Sequence, residues 1–275
     1  MRVILSRKGF DGGYGGIPSP ILNSQTPISF PIPYRKGQQK YSELYHSSGI
    51  TYMDLIHGLR NKHTIYSDDG WEELTRETNC HLDPDLAPDV RDREKQWLPL
   101  FGQSDAALSH LESQDVGEGS LFLFFGWFKK AEDSGSGFRF VAGAKELHVI
   151  FGYLQVGEVI NNPNDLKDWM RYHDHYQLVG DRDKKDALYV ARPTLSFDES
   201  RPGAGVLPFD EKRVLTKTGF PRSRWSLPDY LRGVNLTYHS SQSWKENYFQ
   251  SASRGQEFVF QENETVSEWA KQILS

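Results

Sequence analysis

The sequence predicts an α+β fold in one domain over residues 1–275, with a largely antiparallel, partly barrel-like sheet and flanking helices. Three observations lead there. Residues 121–160 gather aromatic and aliphatic side chains into successive runs separated by turn residues, the mark of a β-meander. The C-terminal segment carries a single apolar stripe at helical spacing. No shift in composition marks a linker anywhere along the chain.

From the N-terminus, Val3-Ile4-Leu5 reads as a short strand that runs into a Gly-rich stretch, Ser6 to Pro20. Residues 17–40 alternate proline with Ile, Leu and Phe, which suits extended segments rather than helix. Thr51–Asn61 places Met53, Ile56 and Leu59 on one helical face. Ser104–Gln114 is a second helix, with Ser104 as N-cap and Ala107, Leu108 and Leu111 on one side. Leu121–Phe128, Phe138–Ala142 and Leu147–Ile160 are the meander strands, the first pair joined through Glu132–Gly137. Such a meander curls into a bent sheet or small barrel, and Gly152 and Gly157 allow a bulge or bend in its long third strand.

Asn164–Tyr172 reads as a helix capped by Asn164, with Leu166, Trp169 and Met170 inward. Ala187–Ala191 returns to strand. Residues 200–235, broken by Pro202, Pro208, Pro221 and Pro228, are an irregular excursion, and Phe258–Phe260 is a last strand. Thr265-x-x-Glu268 forms a capping box for a terminal helix whose Val266, Trp269, Ala270, Ile273 and Leu274 dock onto the sheet.

The totals narrow the function. A net charge of −5 excludes a surface that binds phosphate everywhere, so contact with nucleic acid must come from local patches. Aromatic residues make up 13% of the chain, enough to fill a core and also to offer stacking platforms for bases. The lone cysteine, Cys80, excludes an internal disulfide. No apolar run approaches the length of a membrane span or a signal-peptide core, so no membrane partner and a cytoplasmic location are expected.

Five clusters could carry chemistry. In the Gly-rich opening, Arg7 and Lys8 supply positive charge, Gly15 and Gly16 let backbone N–H groups approach an anion, Asp11 adds a carboxylate, and Ser19 closes the stretch. The spacing matches neither nucleotide-loop pattern, G-x-x-x-x-G-K-[ST] or G-x-G-x-x-G. In the second cluster, an extended backbone would turn His81, Asp83 and Asp85 to one side, either to bind a divalent metal or to move protons. The alternative is a turn in which Asp83-Pro84-Asp85 caps the next segment. No residue is committed to a metal and no cofactor is identified.

His173-Asp174-His175 offers a further imidazole pair, but at a helix end positions i and i+2 diverge, which favours a reading as helix-terminal histidines. Arg254, Gln256 and Glu257, before the last strand, have the chemistry to address a phosphate and a base edge or to act on a base. Basic residues interleave with Phe220 and Trp225 over 212–225, as a single-stranded or flipped nucleotide would require. Cys80 is a minor candidate for a thiol nucleophile. HExxH, CxxC and GxSxG are absent.

Several blocks resemble one family. Ser6-Arg7-Lys8-Gly9-Phe10-Asp11, Gly15-Gly16-Ile17-Pro18-Ser19-Pro20, His81–Leu86, Phe124–Phe128, Gly152–Gly157 and Arg254–Val259 are similar to the nucleotide modification associated domain of the third type. That prokaryotic and phage family is linked to DNA base modification. Tyr153–Ile160 is also similar to the central strand of PUA-like barrels, which hold modified bases.

The resemblance implies a nucleotide- or DNA-base-modifying enzyme in a DNA modification or phage-defence setting, acting on a nucleotide, a single strand or a flipped base. Asp11, His81, Asp83, Asp85 and Glu257 would handle protons or a metal, while Arg7, Lys8, Gly15, Gly16, Ser19, Arg254 and Gln256 would hold the ligand. The rival is a module that binds a modified base or small nucleotide without chemistry. Function at these blocks requires Arg7, Asp11, His81, Asp83 and Gln256 to line one cleft, bordered by free N–H groups of Gly12–Gly16.

Overall fold

The computed structural model describes residues 1–275 apart from Ser24, 47–48, 61–63, Asp68, Ser136 and Arg182. The strands that position the site are β1 (Val3–Arg7), β2 (Asn79–His81), β3 (Leu100–Ser104), β4 (Leu121–Asp133), β5 (Glu146–Ile160), β6 (Asp186–Ala191) and β7 (Glu257–Val259). The helices are α1 (Tyr52–Arg60), α2 (Asp105–Ser113) and α3 (Glu264–Leu274). Asn61, at the end of the expected first helix, and Ser136, in the expected hairpin loop, lie outside the described residues.

The main sheet runs in the order β7-β1-β4-β5-β6-β3. Its pairs are antiparallel except where β1 and the strand Ser19–Leu22 lie parallel along β4. Alternation decides which way each residue faces. Val3, Leu5, Leu121, Leu123 and Phe125 pack with Val266, Trp269, Ala270 and Ile273 of α3 on one face. Ile4, Phe122 and Phe124 pack with Phe101, Tyr189 and Leu108 and Leu111 of α2 on the other. The near-continuous apolar run of β4 is therefore that of a strand covered on both sides.

Several expectations are corrected. Among the described residues the sheet does not close into a barrel: the edge strands β7 and β3 share no backbone ladder, and α2 packs against both. The likeness to a barrel strand in Tyr153–Ile160 thus carries no barrel. The meander is instead one long hairpin. Phe138–Phe140 and β5 both run antiparallel to β4, covering its far and near parts in turn. Register shifts do occur beside Gly152 and Gly157 in β5.

Asn164–Tyr172 is not an α-helix but a series of 3₁₀ turns at Pro163–Asp165, Asp168–Met170 and Asp174–Gln177, the first capped by Asn162. The apolar spacing does place Trp169 and Met170 in the interior, but extended residues at Asn162, Lys167 and His173 start a new short turn each time and break the segment into single turns. Asn263, not Thr265, caps α3, because its side chain accepts from the Thr265 N–H at 2.8 Å. Ser104 precedes α2 without making a side-chain cap bond. No described helix is long and apolar enough to cross a membrane.

Candidate functional site

A cleft of about 500 Å³ opens where the ends of β1, β3 and β7 meet the β2 segment and the turn 174–177. Each element delivers one or two polar side chains. Lys8 follows β1, and its ammonium lies 3.1 Å from Glu257 Oε1, 3.9 Å from Asp83 Oδ2 and 4.3 Å from the centre of the Phe101 ring. Glu257 faces it because β7 pairs antiparallel with β1, setting Glu257 opposite Ser6. Gln103 of β3 donates to the same Oε1 at 2.8 Å, joining the two sheet edges through side chains.

β2 is held between the two-residue strands Ile32–Pro33 and Gln39–Lys40, which fixes His81 opposite Ile32. Two residues later Asp83 accepts the Gly102 N–H at 2.7 Å through Oδ1. Three imidazoles surround that carboxylate. His81 Nε2 stands 3.9 Å from Oδ2, and His173 Nε2 stands 3.5 Å from Oδ1. The His175 ring centre lies 5.0 Å from that of His81.

Both cleft-facing histidines are steered from behind. His81 Nδ1 lies 3.2 Å from Asp174 Oδ2, and His175 Nδ1 lies 2.9 Å from both carboxylate oxygens of Asp186. Asp174 is itself anchored by the Gln38 N–H at 2.7 Å. Glycine is required at 102: a Cβ there would sit 2.1 Å from His175 Cδ2, so any side chain would displace the imidazole.

Burial sets the electrostatics. It pushes the Asp83 carboxyl up, but the His173 imidazole 3.5 Å away and the neighbouring Lys8, His81 and His175 outweigh it and hold Asp83 well below the carboxylate range. For the tightly coupled His175–Asp186 pair, burial favours the neutral forms, moving the imidazolium down and the carboxyl up. A carboxylate kept ionised beside imidazoles can orient a proton donor, accept a proton through a histidine, or ligate a metal.

Of the residues singled out by sequence, Arg7, Lys8, Asp11, His81, Asp83 and Gln256 all line this cleft, although they lie as much as 249 positions apart. Glu257 is buried just beneath it and reaches it through Lys8. Two of these side chains are already engaged. Arg7 donates to the carbonyls of Ala252 at 2.6 Å and Ser253 at 3.3 Å, above the rings of Phe125 and Phe258. Asp11 Oδ1 accepts the N–H groups of Gly13 and Tyr14.

The expected anion loop is corrected for the same reason. The Gly15 N–H donates to the Tyr66 carbonyl and the Gly16 N–H to the Asp11 carbonyl, so both donors are used within the protein. Gly15 has φ of +79° and is pressed against the Phe10 ring, which makes it a packing residue. Ser19 is buried in a strand, where its hydroxyl accepts the Phe30 N–H. Arg254 is exposed and does not line the cleft.

Asp85 also falls away from the cleft. The chain bends at Pro84, which breaks the period-two alternation, and Asp85 pairs by its backbone with Leu100. Its carboxylate is fully buried in a bidentate pair with Arg93, at 2.5 and 2.6 Å, and accepts the Tyr172 hydroxyl. Cys80 is buried between strands, with its thiol pushed well up by burial. The 212–225 segment is tied to the rest of the fold. Trp225 is core, Arg213 donates to Ile273 and Pro208 carbonyls, and Arg222 pairs with Glu146.

The other half of the cluster is what sequence reasoning weighed and set aside, or did not reach. His173, Asp174 and His175 come to the site because the segment is a 3₁₀ turn rather than a helix end. Their spacing was a usable signal. Asp186 and Gln103 carried none, since Asp186 is the single polar residue of an otherwise apolar strand and Gln103 sits at the polar end of a short one. Tyr34 and Lys184 also border the cleft.

A family model described as nucleotide modification associated domain 3 matches residues 2–261. No curated protein and no solved structure matches the chain. The family's description gives the chain a role associated with nucleotide modification.

Proposed function

We propose that this chain, which belongs to the nucleotide modification associated domain 3 family, is an enzyme acting on a nucleotide or DNA base in its histidine–carboxylate cleft. One observation carries the reading: His81, Asp83, His173, His175, Lys8 and Glu257 converge from distant parts of the chain, and buried partners fix their orientation. A binding pocket needs stacking and hydrogen bonds; it does not need an ionised carboxylate ringed by steered imidazoles. In this reading His81, the most accessible of the three histidines, exchanges a proton with the ligand while Asp174 and Asp83 hold its ring. Gln256 at the rim addresses the base edge, Tyr34 stacks on it, and the exposed Lys184 meets phosphate. The setting that fits is DNA modification or defence in phage and bacteria.

The satisfied bonds of Arg7 and Asp11 favour a second reading, a module that captures a modified base without chemistry. Incubating the purified chain with nucleotides and single-stranded DNA, followed by nucleoside mass spectrometry, separates the two. The enzyme reading expects a mass-shifted nucleoside that disappears in His81→Asn. Tight binding with the ligand recovered unchanged selects the module, and neither product nor binding removes both.

A further inference from the structure

We propose that the cleft holds one first-row divalent transition-metal ion, ligated by His81 Nε2, the Asp83 carboxylate and His175 Nε2. The proposal deepens the reading of the cleft as catalytic and rests on that reading for its chemical use.

The geometry is specific. One ligand atom from each of His81, Asp83 and His175 lies within 4.8 Å of the others. Ligands about 2.1 Å from a shared metal are about 3.0–3.4 Å apart, so the widest pair must close by roughly 1.5 Å. His81 Nε2 and Asp83 Oδ2, at 3.9 Å, are already near that spacing. His81, at the mouth, is the least buried of the three.

Three further observations point to a cation. First, each ligating imidazole has a carboxylate on its other nitrogen, Asp174 for His81 and Asp186 for His175. A carboxylate on Nδ1 turns Nε2 outward as a ligand and strengthens it. Second, four little-exposed carboxyls gather at the site, Asp83 and Glu257 against the Lys8 ammonium and Asp174 and Asp186 behind the imidazoles, and a divalent ion would offset their charge. Third, His173 Nε2, on a side chain only 1% exposed, has no hydrogen-bond partner and points at Asp83 Oδ1 from 3.5 Å. Drawing Asp83 Oδ2 onto a metal leaves Oδ1 to take that donor.

Two imidazoles and one carboxylate select the kind of ion. Calcium and magnesium favour all-oxygen shells, whereas imidazole suits zinc, iron, cobalt and nickel. Three protein ligands leave positions open toward the cavity, where the ion would supply Lewis acidity to a bound water or nucleotide oxygen.

The test uses the full-length chain, free of affinity tag and stripped with chelator, titrated with Co²⁺ by absorption and with Zn²⁺ by calorimetry, without nucleotide. One equivalent should bind, with a cobalt d–d band. His81→Asn and Asp83→Asn should each weaken binding at least 100-fold, and Asp186→Asn, which alters only the support of His175, about 10–100-fold. Circular dichroism confirms that each variant is folded; His81, at the cleft mouth, is the substitution least costly to folding. Absence of saturable binding below 100 µM, or affinities in folded variants within threefold of the parent, overturns the metal site. Because no nucleotide is present, that failure leaves the base-modification reading to its own assay, and a bound metal without any nucleoside product would leave the site standing while that reading fell.

Discussion

Acidification should unfold this protein partly through His148, a buried histidine behind the wall that supports Arg7. His148 is 7% exposed, its Nδ1 accepts the Trp225 Nε1–H at 3.0 Å, and its ring packs on Phe125. Its backbone N–H is fixed by Thr216 at 2.7 Å. Burial, reinforced by the charges of Arg7 and Arg222, pushes its pKa from 6.5 down to about 3. Protonation would also destroy the acceptor that Trp225 uses. A folded-state pKa below the unfolded value means that the unfolded chain binds the extra proton first. The stabilisation from neutral His148 is therefore complete above about pH 6.5 and is lost as pH falls toward 3. At about 1.4 kcal/mol per pH unit below 6.5, the step from pH 7.5 to 4.5 removes about 3 kcal/mol, a sizeable share of an ordinary domain's stability. The assay is urea unfolding at both pH values for the parent and for His148→Gln, whose amide oxygen can still accept from Trp225. Other buried groups, His175 among them, titrate in both proteins and cancel in the comparison. The parent should lose about 3 kcal/mol more than the variant. Equal losses would refute the reasoning, because His148 would then carry no proton deficit in the fold.

Two further outcomes follow from the packing. Gly102→Ala places a methyl 2.1 Å from His175 Cδ2, so the ring must move more than 1 Å to reach ordinary contact. Cobalt affinity and any nucleoside product should both fall about 100-fold, and unchanged values would mean that His175 has no part in the site. Asp85→Asn breaks a buried bidentate pair and strands the Arg93 guanidinium, and should lower the urea-derived stability by about 3–5 kcal/mol. A loss below about 1 kcal/mol would return Asp85 to candidacy as a functional rather than structural carboxylate.

Local pattern was legible where a residue's environment depends on its near neighbours. The stripe Val266, Trp269, Ala270, Ile273 and Leu274 foretold a docked helix, and all five are buried. The apolar run from Leu121 foretold a strand, and the Met53, Ile56 and Leu59 spacing foretold α1. The sequence by itself also marked Lys8, His81, Asp83 and Gln256 as residues with chemistry to offer. Partnership was not legible. Arg7 had the fork for a phosphate, but the return of the chain at Ala252 and Ser253 fills it with carbonyls. Asp85 had the spacing of a third ligand, but the bend at Pro84 and Arg93 turned it into a core ion pair. His173 and His175 looked like helix-end residues until 3₁₀ turns delivered them to Asp83. Periodicity and cap chemistry act over a few residues and leave their signature in the sequence. The meeting of residues 8, 83, 175 and 257 depends on which strands lie side by side, and that order is decided by how two apolar faces are covered at once, a property of the whole packed chain.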